Sequence, residues 1–278
     1  METVSKELYS NIPPTKIRNR VEVFRTPSNI PFWHVIADYV FGKMIRNRFF
    51  SVAVKNEQSY ENRNKDFATI YYAPHTNWWD GLLGYLMIHH IFKAKKFRVM
   101  IEEMNRFPLF KYIGAYPINK KSAQTSLESF KFTTDHVLND KDCCLLIFPQ
   151  GIIRPPYHRP EVFGSGLAYL VEKAVKLYGG VNLLPVAVNY CFLRQDRPEI
   201  LVDFGDVKTI TSIEYDRKQF TSLLAQDFER FCDKQLEDIG NANFEGYKYF
   251  YKNKLHWWKR IEKRLKDIGM NQAKRENK

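Results

Sequence analysis

At 278 residues, with 44% apolar and 15% aromatic residues, the chain is long enough for one large domain with terminal appendages and too apolar to be disordered throughout. Its formal charge of +12 is uneven: residues 244–278 hold 11 Lys/Arg against 4 Asp/Glu, a net +7, which leaves only +5 for the rest and points that end toward an anionic surface or partner. The four cysteines (Cys143, Cys144, Cys191, Cys232) show no metal-ligand spacing and read as buried free thiols of a reducing compartment, and no run of about 18 apolar residues offers a bilayer span.

Residues 1–28 are polar and carry Pro13-Pro14; they read as a lead-in, and Met1 to Pro13 lack the apolar core of a signal peptide. From 30 to 50 the pattern changes. Phe32, Trp33, Ile36, Tyr39, Val40 and Met44 recur at helical spacing, and Lys43, Arg46 and Arg48 crowd the end. Such a helix either docks on the core or lies in a membrane interface, where Trp and Phe beside basic residues are favoured.

Strand-like runs follow at Phe67–Ala73, Phe97–Glu102, Ala115–Asn119, Cys143–Pro149, Leu183–Cys191 and Ile200–Phe204. Several are continuously apolar, as expected of strands covered on both faces. Helical stretches at Trp79–Phe92, Ser122–Leu138 and Gly166–Tyr178 alternate with them, and a long amphipathic helix spans Asp216–Ile239. The alternation predicts an α/β fold: a mixed, largely parallel sheet flanked by helices, with amphipathic terminal helices. The expected division is a lead-in and amphipathic helix over 1–64, an α/β domain over 65–240, and a basic aromatic helix over 241–278. In that last piece Phe244, Tyr247, Tyr249, Phe250, Tyr251, Trp257 and Trp258 interleave with Lys and Arg. This mixture suits an anionic bilayer, packing on the domain with a solvated basic face, or single-stranded nucleic acid. No nucleic-acid motif accompanies the charge, so no nucleic-acid partner is expected.

The segment Ala73-Pro-His-Thr-Asn-Trp-Trp-Asp80 places an imidazole on a strand-to-helix turn with a carboxylate five residues on, just inside the helix. Such a pair serves as a general base and its orienting partner, because the carboxylate fixes the tautomer and steadies the imidazolium. By itself the spacing is also that of an ordinary structural pair. Three further stretches accompany it. In Leu145–Arg154 a buried strand runs into Pro149-Gln150-Gly151 and on to Arg154, a turn whose amides can donate to an oxygen. Ile113–Lys120 is a short strand ending in a cation, and Leu183–Asn189 is a strand carrying Pro185, expected at its start or at a bulge.

In this order the four stretches resemble the glycerolipid acyltransferase family, the lysophosphatidate acyltransferase-like enzymes (1-acyl-glycerol-3-phosphate acyltransferase type), over about residues 65–205. The family's His-x4-Asp is His75–Asp80, its Gly-x-aromatic block is Gly114–Lys120, its Phe-Pro-Glu-Gly block is Phe148–Arg154, and its Pro-Val strand is Leu184–Val186. The resemblance implies that His75 is the general base, that Asp80 holds it, and that Lys120, Gln150, Gly151 and Arg154 bind substrate. It implies an acyl-CoA or acyl-ACP (acyl carrier protein) co-substrate, a lipid acceptor, no cofactor or metal, and a peripheral or monotopic place on the cytoplasmic face of an anionic membrane. It gives no oligomeric state. Three departures stand out: Gln150 replaces Glu, Arg154 is displaced by one residue, and Lys120 replaces Arg. A lysine cannot make a bidentate phosphate contact. The altered cations therefore suit a glycolipid or other lipid acceptor as well as a lyso-phospholipid. Gln150 also supports the alternative of a catalytically inactive lipid- or membrane-binding protein with the same fold.

Overall fold

Thr69, Ile70, Tyr71 and Tyr72 form a strand because β-branched and aromatic side chains fit a pleated surface, and all four are buried because the sheet around them is covered on both faces. The computed structural model describes residues 23–254, apart from 103, 119–122 and 194, together with 261 and 264. Among them run α1 (Pro31–Arg48), β1 (Ser51–Lys55), β2 (Thr69–Tyr72), α2 (Trp79–Leu86), β3 (Lys96–Ile101), β4 (Ala115–Pro117) and α3 (Ala123–Phe132). Then come β5 (Cys143–Ile147), α4 (Gly166–Tyr178), β6 (Val181–Cys191), β7 (Glu199–Phe204), β8 (Lys208–Ile210), α5 (Arg217–Gly240) and β9 (Lys248–Lys252).

One sheet takes the order β4-β3-β5-β2-β6-β7-β1-β9, with β8 beside β6. The block from β4 to β6 is parallel, β6 and β7 are antiparallel, and β7 and β1 are parallel again. This is the expected mixed, largely parallel α/β sheet. Alternate residues separate its two cores. Tyr71, Cys144 and Leu146 point to the side of α1 and α2, whereas Ile70, Tyr72, Leu145 and Ile147 point to α4 and α5. α5 starts at Asp216, whose carboxylate accepts the Gln219 N–H at 2.9 Å, and α4 ends at Gly179 with φ of 81°.

Several expectations are corrected. β1 and β9 lie outside the limits 65–240, yet both are strands of the same sheet. Residues 248–252 were expected within a basic aromatic helix; Lys-Tyr-Phe-Tyr-Lys instead pairs antiparallel with β1, where aromatic side chains suit an edge strand and terminal lysines guard it. The rest of that segment falls largely outside the described residues. Pro185 is neither at a strand start nor at a bulge. It lies mid-strand in β6, where the neighbour changes from β8 (residues 181–183) to β7 (from 186), so no ladder partner needs its missing N–H; its carbonyl accepts the Gly205 N–H at 2.9 Å. In α1 the buried residues are Ala37, Phe41 and Ile45, whereas Phe32, Val35 and Tyr39 are each about two-thirds exposed. The two long helices after β2 and β4 each finish in a π turn, at Met87–Ile91 and Thr133–Val137.

Candidate active site

β2, β5 and β6 run side by side in one direction, so the turns beyond Tyr72 and Ile147 open on the same edge of the sheet. Ligands of open α/β sheets gather at that carboxyl edge. The pairing continues past the strands: the Ala73 N–H donates to the Ile147 carbonyl at 3.1 Å. Two residues on, the His75 N–H donates to Gln150 Oε1 at 2.7 Å, and the His75 carbonyl accepts the Arg154 N–H at 2.8 Å. His75 is thereby pinned by its backbone to the Pro149-Gln150-Gly151 turn. Its ring stacks on Phe148, with centroids 4.5 Å apart and 16° between planes.

The imidazole Nδ1 faces Asp80 Oδ2 at 3.2 Å. Asp80 sits in the first turn of α2, where the helix dipole favours a carboxylate, and its side chain is 2% exposed. Such burial is tolerable only because donors surround it. Oδ2 accepts the Thr76 and Asn77 N–H groups at 2.6 and 2.9 Å, and Oδ1 accepts the Tyr190 hydroxyl at 2.7 Å. Desolvation, then the Asp80 charge, hold the Tyr190 phenol well above its ordinary pKa, so it stays a donor. Asn77 Oδ1 accepts the Trp79 N–H at 2.8 Å and fixes the start of the helix.

Gln150 is braced rather than directed at solvent. Its Oε1 takes the His75 N–H, while its Nε2 donates to Glu161 Oε2 at 2.7 Å. Glu161 is buried, and Arg159 lies 3.5 Å from its other oxygen. Gly151 turns with φ of 68° and lines the adjoining cleft. The Arg154 backbone joins His75, and its guanidinium lies 3.3 Å from the His158 ring. Lys120 lies outside the described residues. Thus His75, Asp80, Gln150, Gly151 and the Arg154 backbone converge.

Two residues of the constellation carried no signal in the sequence. Tyr190 reaches Asp80 from 110 positions away, and Glu161 sits in an irregular segment. The first required knowing that β6 lies beside β2; the second follows only from the fold of the loop after Gly151.

From His75 a cleft of about 600 Å3 runs between β5, α3 and α4, with Met100, Ile118, Leu127, Phe130 and Leu170 on its walls. Its lining is mostly apolar, as a hydrocarbon chain requires. Cys143, Cys144 and Cys232 are buried as expected and Cys191 only partly so; burial pushes the Cys143 thiol up to about 12 and raises that of Cys191, which makes none of the four an evident nucleophile.

Residues 52–189 match the family described as Acyltransferase. No curated protein sequence matches the chain. Among solved structures it is similar to the 1-acyl-sn-glycerophosphate (LPA) acyltransferase PlsC from Thermotoga maritima, with 14% identity and a TM-score of 0.48 over 73% of this chain and 78% of that one, a likeness too distant to bear on chemistry.

Proposed function

We propose, from the premise that residues 52–189 belong to the acyltransferase family, that the chain moves a fatty acyl group from an acyl thioester to a hydroxyl of a lipid acceptor. The observation that carries this reading is the His75–Asp80 pair at the mouth of an apolar cleft. With Nδ1 turned to the carboxylate, Nε2 is the nitrogen left to accept a proton.

His75 removes the proton of the acceptor hydroxyl as its oxygen attacks the thioester carbonyl, and Asp80 stabilises the imidazolium. The tetrahedral oxyanion collapses, the carbon–sulfur bond breaks, and the imidazolium returns the proton to the departing thiolate. Ester and free thiol leave, and no acyl-enzyme forms. Gly151 and Arg154 sit on the His75 turn and are the substrate-binding candidates there, with Lys120 of the preceding motif; Gln150 acts by holding that turn. The donor is acyl-CoA or acyl-ACP, and no cofactor takes part.

Membrane attachment at the cytoplasmic face belongs to the same proposal. It is supported by the outward Phe32, Val35 and Tyr39 of α1 and by the excess of cations in residues 244–278. Among the described residues no helix is long and apolar enough to cross a membrane. The acceptor is a lyso-phospholipid, or a glycolipid or other lipid if the altered cations hold no phosphate.

The test is His75→Ala in an assay of thioester consumption against a panel of lyso-lipids. We expect the rate to fall by about 10^3-fold or more with the fold intact. A wild-type chain that binds liposomes but consumes no thioester would instead support the inactive lipid-binding alternative.

A further inference from the structure

Three of the seven histidines gather with one aspartate far from the His75 turn. Asp38 lies mid-way along α1, and His89 and His90 lie on the π turn Met87–Ile91 that extends α2. His89 Nδ1 and His90 Nε2 both face the same oxygen, Asp38 Oδ1, at 2.9 and 3.1 Å. Successive residues of an α-helix diverge by about 100°. The wider π turn lessens that divergence, which lets two adjacent imidazoles address one carboxylate.

We infer that Asp38, His89 and His90 bind one divalent transition-metal ion of the Zn2+ class. Their three donor atoms all lie within 4.8 Å of one another. A tetrahedral Zn2+ with bonds of about 2.0–2.1 Å spaces its ligand atoms by about 3.3 Å. The two Asp38–His spacings are already close to that value, and the two imidazole nitrogens lie within 4.8 Å of each other. Two imidazole nitrogens and one carboxylate oxygen make a borderline donor set. It selects Zn2+, Co2+ or Ni2+ over Mg2+ and Ca2+, which prefer all-oxygen sites. Binding exchanges the two N–H groups that face Asp38 for lone pairs, each ring carrying its proton on the opposite nitrogen.

The surroundings suit such a site. His34 stacks on His89, with centroids 5.2 Å apart and 27° between planes, and its own Nδ1 is held by the Tyr85 hydroxyl at 2.9 Å. Its ring therefore holds the plane of the His89 ring, the task of a supporting residue around a metal ligand. The His90 side chain is 41% exposed, which gives an ion access and leaves its remaining position to water. The consequence is mechanical: a bound ion ties α1 to the helix whose first turn carries Asp80, at the opposite end from the proposed chemistry.

The experiment is titration of the untagged, chelator-stripped full chain with Co2+ and then Zn2+. We expect one equivalent of Co2+ with the visible absorption of a four- or five-coordinate ion, its displacement by Zn2+, and a higher melting temperature with metal. Affinity should fall at least about tenfold in His90→Gln and in Asp38→Asn, and should be unchanged in His75→Ala. His90→Gln alters an exposed side chain, so circular dichroism without metal should match the wild type. Absence of saturable binding by the wild-type chain, or one-equivalent binding that persists in His89→Gln/His90→Gln, overturns the site.

Discussion

Gln150 donates its amide to Glu161 at 2.7 Å, and its carbonyl oxygen takes the His75 N–H at the same distance. Only one amide orientation satisfies both neighbours, so the pair sets the position of the His75 backbone. The negative charge missing at 150 relative to the Phe-Pro-Glu-Gly pattern stands at 161, buried beside Arg159. A Glu at 150 would put two carboxylates in contact, and both cannot ionise there. We expect Gln150→Glu to lose about 1–3 kcal/mol near neutral pH, and Gln150→Glu/Glu161→Gln to recover most of it. The sign follows from linkage. The shared proton raises a folded-state pKa above its unfolded value, so the variant is most nearly wild-type below about pH 4 and worsens as pH rises through the folded value. Denaturant titrations at several pH values check this; equal losses at every pH would remove Glu161 from the account.

The second contact to test is Tyr190 on Asp80. Its hydroxyl is one of the donors on that buried carboxylate, and the backbone groups of Thr76 and Asn77 remain when it is removed. A hydrogen bond to a charged group contributes about 1.5–3 kcal/mol. Tyr190→Phe should therefore lower kcat about tenfold or somewhat more with little change in KM, because Asp80, held by one donor fewer, orients the His75 ring less firmly. A KM-only effect would place Tyr190 at the substrate instead.

These two contacts show what a linear chain discloses and what it conceals. The His75–Asp80 spacing was legible because a strand-to-helix turn folds residues five apart back into reach, and the β2 and β5 runs were legible because continuous burial leaves an apolar record. Tyr190 and Glu161 were not, since each depends on which segments become neighbours. Pro185 misled because the residue type marks an absent donor, whereas only the strand order reveals that no donor is needed there. β9 misled in another way: three aromatic residues between two lysines satisfy a helical surface and an edge strand alike.

Gly114, in the Gly-x-aromatic block, has a structural obligation independent of any substrate. Its φ is 101°, and a Cβ there would meet the Phe97 carbonyl oxygen at 2.0 Å, a backbone atom that cannot swing aside. Gly114 leads into β4, which pairs with β3 at the edge of the sheet. Gly114→Ala should cost about 2–4 kcal/mol from strain and steric overlap together. Thermal and denaturant melts test it. A loss below about 0.5 kcal/mol, the range of ordinary surface substitutions, would show that β3 and β4 separate freely there.

The cleft wall offers a test of what the site accepts. Phe130 lines it from α3 and meets Tyr169 of α4 edge-on, with centroids 5.5 Å apart and 87° between planes. The Gly166 backbone also packs near this ring, since a Cβ built there would lie 3.3 Å from its tip. Phe130 thus narrows the apolar channel between two helices without touching the His75–Asp80 pair. Phe130→Ala should widen the channel and cost about 3 kcal/mol or less, because the ring is only partly buried. Each methylene accommodated along an apolar wall adds about 0.8 kcal/mol, so a chain extended by two methylenes should gain roughly tenfold in relative kcat/KM. Competition between acyl thioesters of graded length, with products separated by mass, measures that shift directly. If preference is unchanged while total activity is retained, the acyl chain does not run past Phe130, and the cleft instead receives the acceptor.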